Sequence, residues 1–470
     1  MKLIMKLIKY SLYLLSAAFV LGGCKKQLQQ DSPVVFSEAN AFQTFDHVQL
    51  GVNGAFGRMG AYANIIYMNA LVSDEAKIGA DNNGQGALTY RYQYSSDATT
   101  GGDVTGAFGA YYSLIDQVNR VLPHIYTVTA TPAQLPRKDI VKGQLLALRA
   151  FAHFSLMQAY SKSYNASEPL GVAIMLESNP LAQPARNTMG DVMTQVEKDL
   201  ADAKALLPAV TPATFTDTVI NKVNIAAFQA RIALYKGDWA NAVTYATEVI
   251  NSNVKPLVTG TTFAGIWTDA NNSETLFRYR YLTSTALGGL WTTTSNLIYI
   301  APSDKLVATY GTGDIRRAAY IGTTTAGNNY VNKHFTSSRG GRIVDMKVCR
   351  IAEMYLIRAE AYAKQASPNL AGGTADLNTL RAQRITGYVN ATFATTADLI
   401  AAVLDERFKE LCFEGFRLYD LKRNNLPVQR NASDAQAAWQ TLPVGSFRFV
   451  FPIPQAQLFA NPNTVQNAGY

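Results

Sequence analysis

The sequence predicts a mainly α-helical fold: a tetratricopeptide-like helical-repeat scaffold with an irregular, loop-rich face and a few short strands. Three observations predict it. Apolar residues recur at spacings of three and four through several long stretches, the period of amphipathic helices. Small residues line both arms of a tight turn in "NIAAFQARIALYKGDWANAVTYATEVIN", which lets two antiparallel helices pack closely. Between the periodic stretches lie segments rich in Thr, Gly, Asn and Tyr that punctuate the helical pattern as loops. At 470 residues the chain is long enough for a large core, or for two or three packed subdomains.

The first element reads as a secretory signal. Lys2, Lys6 and Lys9 form a positive front before the apolar segment Tyr10 to Leu21. That segment, about a dozen residues, has the size of a signal-peptide core, whereas a membrane-spanning helix needs ~20. The apolar run stops at Gly22-Gly23-Cys24, and the polar "KKQLQQDSP" that follows reads as a tether stiffened by Pro33. Leu21-Gly22-Gly23-Cys24 resembles a bacterial lipobox, whose cysteine is acylated and becomes the first mature residue. The other reading is an ordinary secretory signal with an incidental cysteine. Acyl chains on Cys24 would anchor the protein to a membrane without spanning it, at ~0.8 kcal/mol per buried methylene. The expected organisation is then residues 1–23 as signal, 24–36 as lipidated tether and 37–470 as the folded part. The last divides into an N-terminal portion to about 250 and a C-terminal portion from about 251.

Helices follow. "TGAFGAYYSLIDQVNRVLPHI" and residues 137–164 form one candidate hairpin, with Ile140, Ala147, Phe151 and Phe154 making an apolar stripe on the second helix. Residues 188–207 form another helix, with Thr188 placed to cap it and Pro208 to end it. In the next hairpin Ala226, Ala230 and Ala233 share one face, Lys236-Gly237-Asp238 makes the turn, and Ala242 and Ala246 face back. "RIAEMYLIRAEAYAKQ" with "GTADLNTLRAQR" reads as a further hairpin, and stacked hairpins bury a continuous core. Two segments differ. Residues 74–106 are loop-rich, with a short alternating stretch from Leu88 to Tyr94, and residues 253–346 contain the strand-like "ETLFRYRYL". We expect one irregular face laid over a helical scaffold, which is where binding residues usually sit.

The chemistry the sequence excludes is wide. Formal charge is +8 and only 16% of residues are charged, with no basic stripe interleaved with aromatics, so nucleic-acid binding is not expected. Cys349 and Cys412 lie in apolar patterns that read as helical; buried free thiols are expected, a disulfide between them being the alternative. There is no CxxC pair, no His-x-x-x-His pair, no Gly-x-Ser-x-Gly elbow and no phosphate-binding glycine loop. Among His47, His124, His153 and His334 there is no metal spacing, and His153 beside Phe154 reads as packed core. Arg149, mid-helix, could bind an anion or brace a loop carbonyl or carboxylate; bracing is favoured. Glu410 and Glu414 are four apart on one expected helical face, and glycosidases use two carboxylates about 5–9.5 Å apart. Arg407, Glu410, Glu414 and Arg417 alternate in sign at spacings of three and four, so ion pairing is the better reading.

What remains is binding. A sugar site needs aromatic platforms flanked by amides, acids or Arg. Tyr is frequent, at 25 residues. Tyr90, Tyr92 and Tyr94 lie near Asn82, Asn83 and Arg91, and strand alternation would put the three tyrosines on one side. Tyr279, Tyr281, Trp291, Asn296 and Tyr299 lie in the second irregular region.

The ordered motifs resemble the SusD/RagB family of outer-membrane nutrient-binding lipoproteins of Bacteroidetes. "AFGAYYSLIDQVNRVL", "ALRAFAHFSLMQAYSKSYNASEPLG", "VEKDLADAKALLP" and "RIAEMYLIRAEAY" each resemble a family segment in the family's order. The most specific is "ERFKELCFEGFRLYDL", with Glu406, Arg407, Glu410, Leu411, Phe413, Glu414, Gly415, Arg417, Asp420 and Leu421 on the family pattern; "FVFPIPQAQLFANPNTVQNAGY" matches its close. The resemblance implies a SusD-like fold in which that segment is a fold signature, not an active site. It implies no enzyme activity and no cofactor, although some relatives hold a calcium ion. It implies a SusC-like TonB-dependent transporter as partner, with this protein as its hinged lid. It also implies a glycan ligand, a lipid-anchored outer-membrane location on the extracellular face, and ligand contacts from variable loops. The alternatives are a peptide- or glycopeptide-binding lid, and a helical-repeat scaffold without ligand.

Overall fold

The computed structural model describes Met1 and residues 41–282, 287–293 and 295–470. The expected signal, Cys24 and its tether lie outside the described residues. The long helices are α1 (Phe45–Arg58), α2 (Tyr62–Val72), α3 (Ala98–Val121), α4 (Leu135–Tyr160), α5 (Met189–Leu206), α6 (Lys222–Lys236), α7 (Trp239–Asn251), α8 (Ile351–Lys364), α9 (Leu370–Ala382) and α10 (Thr396–Glu410). The fold is mainly helical, with short two-stranded sheets only among the described residues.

The α6–α7 hairpin shows how local chemistry builds the scaffold. Asn221 starts α6, its side chain accepting from the backbone N–H groups of Val223 and Asn224. Gly237 ends it at φ 77°, a left-handed conformation that costs glycine no steric penalty. Asp238 then caps α7 by accepting from Asn241 N. Ala226, Ala230, Ala233, Ala242 and Ala246 are all buried, so the two helices meet over small side chains. Thr188 caps α5 in a capping box with Asp191. Helices stack as α3–α4, α4–α5, α6–α7, α7–α8 and α8–α9, so α7 meets α8 across the long excursion of residues 252–350. A main core runs through most helices. A smaller one, with Leu356, Leu377, Leu399 and Phe416, lies between α8, α9 and α10.

Several expectations are corrected. Helix α3 begins at Ala98, inside the segment read as loop, because the Asp97 carboxylate accepts from Thr99 N and Thr100 N and supplies an N-cap. The alternating stretch 88–94 is not a strand: Ala87–Tyr90 is a helical turn, and Tyr92 stands at φ 59°. Cys349 lies in the strand Met346–Arg350, which pairs antiparallel with Thr275–Tyr279 at the expected "ETLFRYRYL" strand. Both Cys349 and Cys412 are buried free thiols, and burial pushes the Cys412 thiol up to about 11.

The charged signature around α10 is structural, but its pairs are not the local ones that sequence spacing predicted. Helix α10 stops at Glu410, and Phe413 (φ 59°) and Gly415 (φ 89°) turn the chain away. Glu410 therefore meets Arg350 at 2.9 Å and Arg384 at 3.0 Å; Glu414 meets Arg350 at 2.8 Å and Lys333 at 2.7 Å. Glu406 bonds Arg316 at 2.5 Å and Arg381 at 2.6 Å. Arg407 bonds Asp420 at 2.8 Å, and Arg417 grips Asp74 at 2.7 and 2.9 Å. Burial alone would raise the Glu410 carboxyl, but Arg384, Arg350 and Arg316 hold it below the usual carboxylate range. Arg149 braces as expected, bonding both Asp199 carboxylate oxygens at 2.8 Å and Asn119 Oδ1 at 3.0 Å.

Candidate loop-face binding site

The two irregular regions meet. The strands Ala76–Ile78 and Ile300–Pro302 pair antiparallel, and the pairing continues past their ends. Gly79 N donates to Tyr299 O at 2.9 Å, and Asp81 N to Ile298 O at 3.0 Å. The Asp81 carboxylate accepts from Ile298 N at 2.8 Å, and the Asn82 amide donates to Tyr299 O at 2.9 Å. Gly79 allows this approach: a Cβ there would stand 2.2 Å from Ile298 O. The loops are therefore fixed to each other by backbone-directed bonds.

The tyrosines and tryptophan that sequence placed on this face are mostly inside it. Tyr90 and Tyr94 are buried, their hydroxyls donating to Asp434 O and Arg448 O. Tyr92 is partly buried, with a hydroxyl that has no hydrogen-bond partner among the described residues. Arg430 lies over the Tyr90 and Tyr92 rings at 3.9 and 4.6 Å, and donates to the carbonyls of Leu71, Val72, Ser73 and Tyr90. Trp291 is fully buried, stacked on His334 at 5.7 Å and edge-on to Tyr67 at 5.8 Å. Tyr281 is buried, and its hydroxyl, like that of Tyr279, bonds the α1–α2 junction, at Gly60 O and Gly57 O. These rings cannot stack on a ligand without unpacking the core, which corrects the reading of Tyr90, Tyr94, Tyr281 and Trp291 as platforms. His153 is also core, and burial lowers its pKa to about 3.

What the face does present is different. Asn83 and Asn296 are exposed, one on each joined loop, and Asn296 Oδ1 accepts from Arg342 at 2.7 Å. Half-buried Arg91 lies over the half-buried Trp439 ring at 5.0 Å. Sequence reasoning missed Trp439 because it comes about 350 residues after Arg91, in a stretch with no aromatic pattern. The only sequence signal was the rarity of Trp, at 4 residues. Among the described residues, no group of three or more His, Cys, Asp and Glu is placed to hold a metal ion, and no helix is long and apolar enough to cross a membrane.

Comparison with known proteins agrees with the architecture. Residues 29–234 match a family model described as starch-binding associating with outer membrane, and residues 304–470 match the SusD family model. A SusD-like protein P2 of Formosa agariphila is 22% identical, over 98% of this chain and all of its own length. Among solved structures, a SusD superfamily protein of Bacteroides thetaiotaomicron superposes with a TM-score of 0.79 at 22% identity, covering 90% of this chain and 99% of the other. A putative sugar binding protein of Bacteroides vulgatus gives 0.78 at 24% identity, covering 92% and 99%. Surface glycan-binding protein A of Bacteroides uniformis gives 0.73 at 18%, covering 90% and 100%. With both ends of the chain matched in order and the helical scaffold shared, this protein belongs to the SusD/RagB family.

Proposed function

We propose that the protein is a non-catalytic, cell-surface lipoprotein of the outer membrane, anchored through Cys24. It captures an oligosaccharide on the loop face and passes it, as a lid, to a SusC-like TonB-dependent transporter. The observation that carries the binding role is the loop face itself. Two loops, each carrying an exposed amide, are held together by side-chain bonds to backbone, and the first also carries Arg91, stacked on Trp439, over a helical scaffold. Pinned loops lower the ordering cost of binding, and amides with a half-open indole suit the hydroxyl edge and apolar face of a sugar ring. The carboxylates that invited a hydrolytic reading, Glu410 and Glu414, are spent in buried ion pairs, which supports binding without cleavage. Relatives whose names describe sugar or glycan binding support the ligand class.

The test is affinity electrophoresis of the soluble form beginning at Lys25 through a panel of plant, fungal and host polysaccharides. We expect retardation by one glycan class, reduced at least tenfold in apparent affinity by Trp439→Ala or Arg91→Ala. No retardation by any glycan would sink the oligosaccharide reading. Retardation that survives both substitutions would move the site elsewhere.

A further inference from the structure

We propose that a cleft of about 830 Å³ beside the α6–α7 turn binds a small carboxylate carried on an apolar body, at a site separate from the loop face. Tyr164, Tyr235, Trp239, Leu426 and Phe447 form its walls, and none of the exposed loop-face residues lines it. Its size is that of clefts that hold ligands of a few hundred daltons, about 300–1,000 Å³.

Lys422 gives the cleft its chemistry. Its Nζ donates to Gln158 O at 3.0 Å and Ser161 O at 2.5 Å, carbonyls at the C-terminal end of α4. Those bonds satisfy helix-end acceptors, and they use two of three ammonium donors. Among the described residues no carboxylate pairs with it within 4 Å, in contrast to the neighbouring Arg423, which is gripped by Glu360 and Asp420. Burial lowers the Lys422 pKa to about 7, with Glu168 opposing. An ammonium with one donor left over and no counter-ion calls for an oxygen-rich group, and a carboxylate supplies both counter-charge and acceptor lone pairs. The rim calls for the opposite. Leu426, Val444 and Phe447 are 39%, 43% and 40% exposed, so the rest of the ligand is apolar. A hydroxyl-rich body would leave its polar groups unpaired against them.

The test is isothermal titration of the soluble protein at pH 6.5 with two acids, 3-phenylpropionate and N-acetyl-leucyl-phenylalanine, and with their amides. We expect both acids to bind and the amides to bind at least tenfold more weakly. Trp239→Ala and the rim change Leu426→Asp should each weaken acid binding at least tenfold, while Arg91→Ala leaves it unchanged. Changing Lys422 risks loosening the end of α4, so the rim variant, checked for an unchanged thermal melt, carries the test. Tighter binding of the dipeptide acid assigns peptide C-termini as the source; tighter binding of phenylpropionate assigns free organic acids. Equal affinity for acid and amide, no binding of either acid, or binding that survives both cleft variants would overturn the proposal. Glycan retardation reads the loop face separately, so failure there and failure here are distinguishable.

Discussion

Glu75 is wholly buried at the edge of the strand Ala76–Ile78, and among the described residues neither carboxylate oxygen has a close hydrogen-bond partner, the Phe413 backbone N–H giving it only weak support. Burial pushes its pKa up to about 8, far above an unfolded carboxyl at ~4.3. A folded-state pKa raised in this way gives a contribution that is complete below about pH 4 and is lost as pH rises through about 8. Over that window the cost of deprotonation is on the order of a few kcal/mol. Glu75→Gln should therefore melt several degrees higher than the parent at pH 8, with the gain fading by pH 5; a lower melting temperature at pH 8 would reject this. Asp74 beside it behaves in the opposite sense. Burial would raise it, but Arg417 and Lys305 hold it at about 2. Its contribution is present above about pH 4 and is lost as pH falls through 2. Asp74→Asn should cost about 3 kcal/mol in urea unfolding at pH 7, because it strands two cations. Residue environments of this kind were the least legible part of the sequence. Whether Tyr90 is a platform or a strut depends on Arg430, which lies far along the chain and reaches its ring only after folding.

At the scale of elements the sequence was far more readable, because caps and small-residue spacing are local. The α6–α7 turn at Gly237 and the Thr188 cap stand where the residues placed them. Reading failed where an element ends early. The alternation of Arg407, Glu410, Glu414 and Arg417 suggested one charged helical face, but left-handed backbone at Phe413 and Gly415 breaks the period and sends the groups to partners outside that face. The result is a buried lattice joining α10, the strand Met346–Arg350 and α9's following turn at Arg384. Removing one member leaves buried charges unpaired, which typically costs about 3–5 kcal/mol. Glu410→Gln, which strands parts of Arg316, Arg350 and Arg384, should fall in that range in urea unfolding; a loss under about 1 kcal/mol would show that the lattice relaxes around it.

For the whole molecule the question is whether the division near residue 250 separates two folding units. The two family matches, 29–234 and 304–470, suggest such a division along the chain. The contacts cross it everywhere. Arg430 bonds carbonyls of Leu71, Val72 and Ser73, and Arg417 bonds Asp74. Near the C-terminus Phe451 N donates to Ala159 O at 2.9 Å, Gln455 N to Ser96 O at 2.8 Å, and the Asn467 amide to Tyr160 O at 2.9 Å. All of these but the Arg417–Asp74 ion pair satisfy a backbone group of the N-terminal portion with an atom from the C-terminal one. Cutting the chain would leave those groups orphaned and open the shared core, a loss larger than the marginal stability of an ordinary domain, about 5–15 kcal/mol. Residues 37–250 expressed alone should therefore show no cooperative melt. The full soluble chain should unfold in one transition that coincides by far- and near-ultraviolet circular dichroism. Two resolved transitions in the full chain, or a cooperative melt of the fragment, would show that the halves are independent units and that the loop face is assembled between separable bodies.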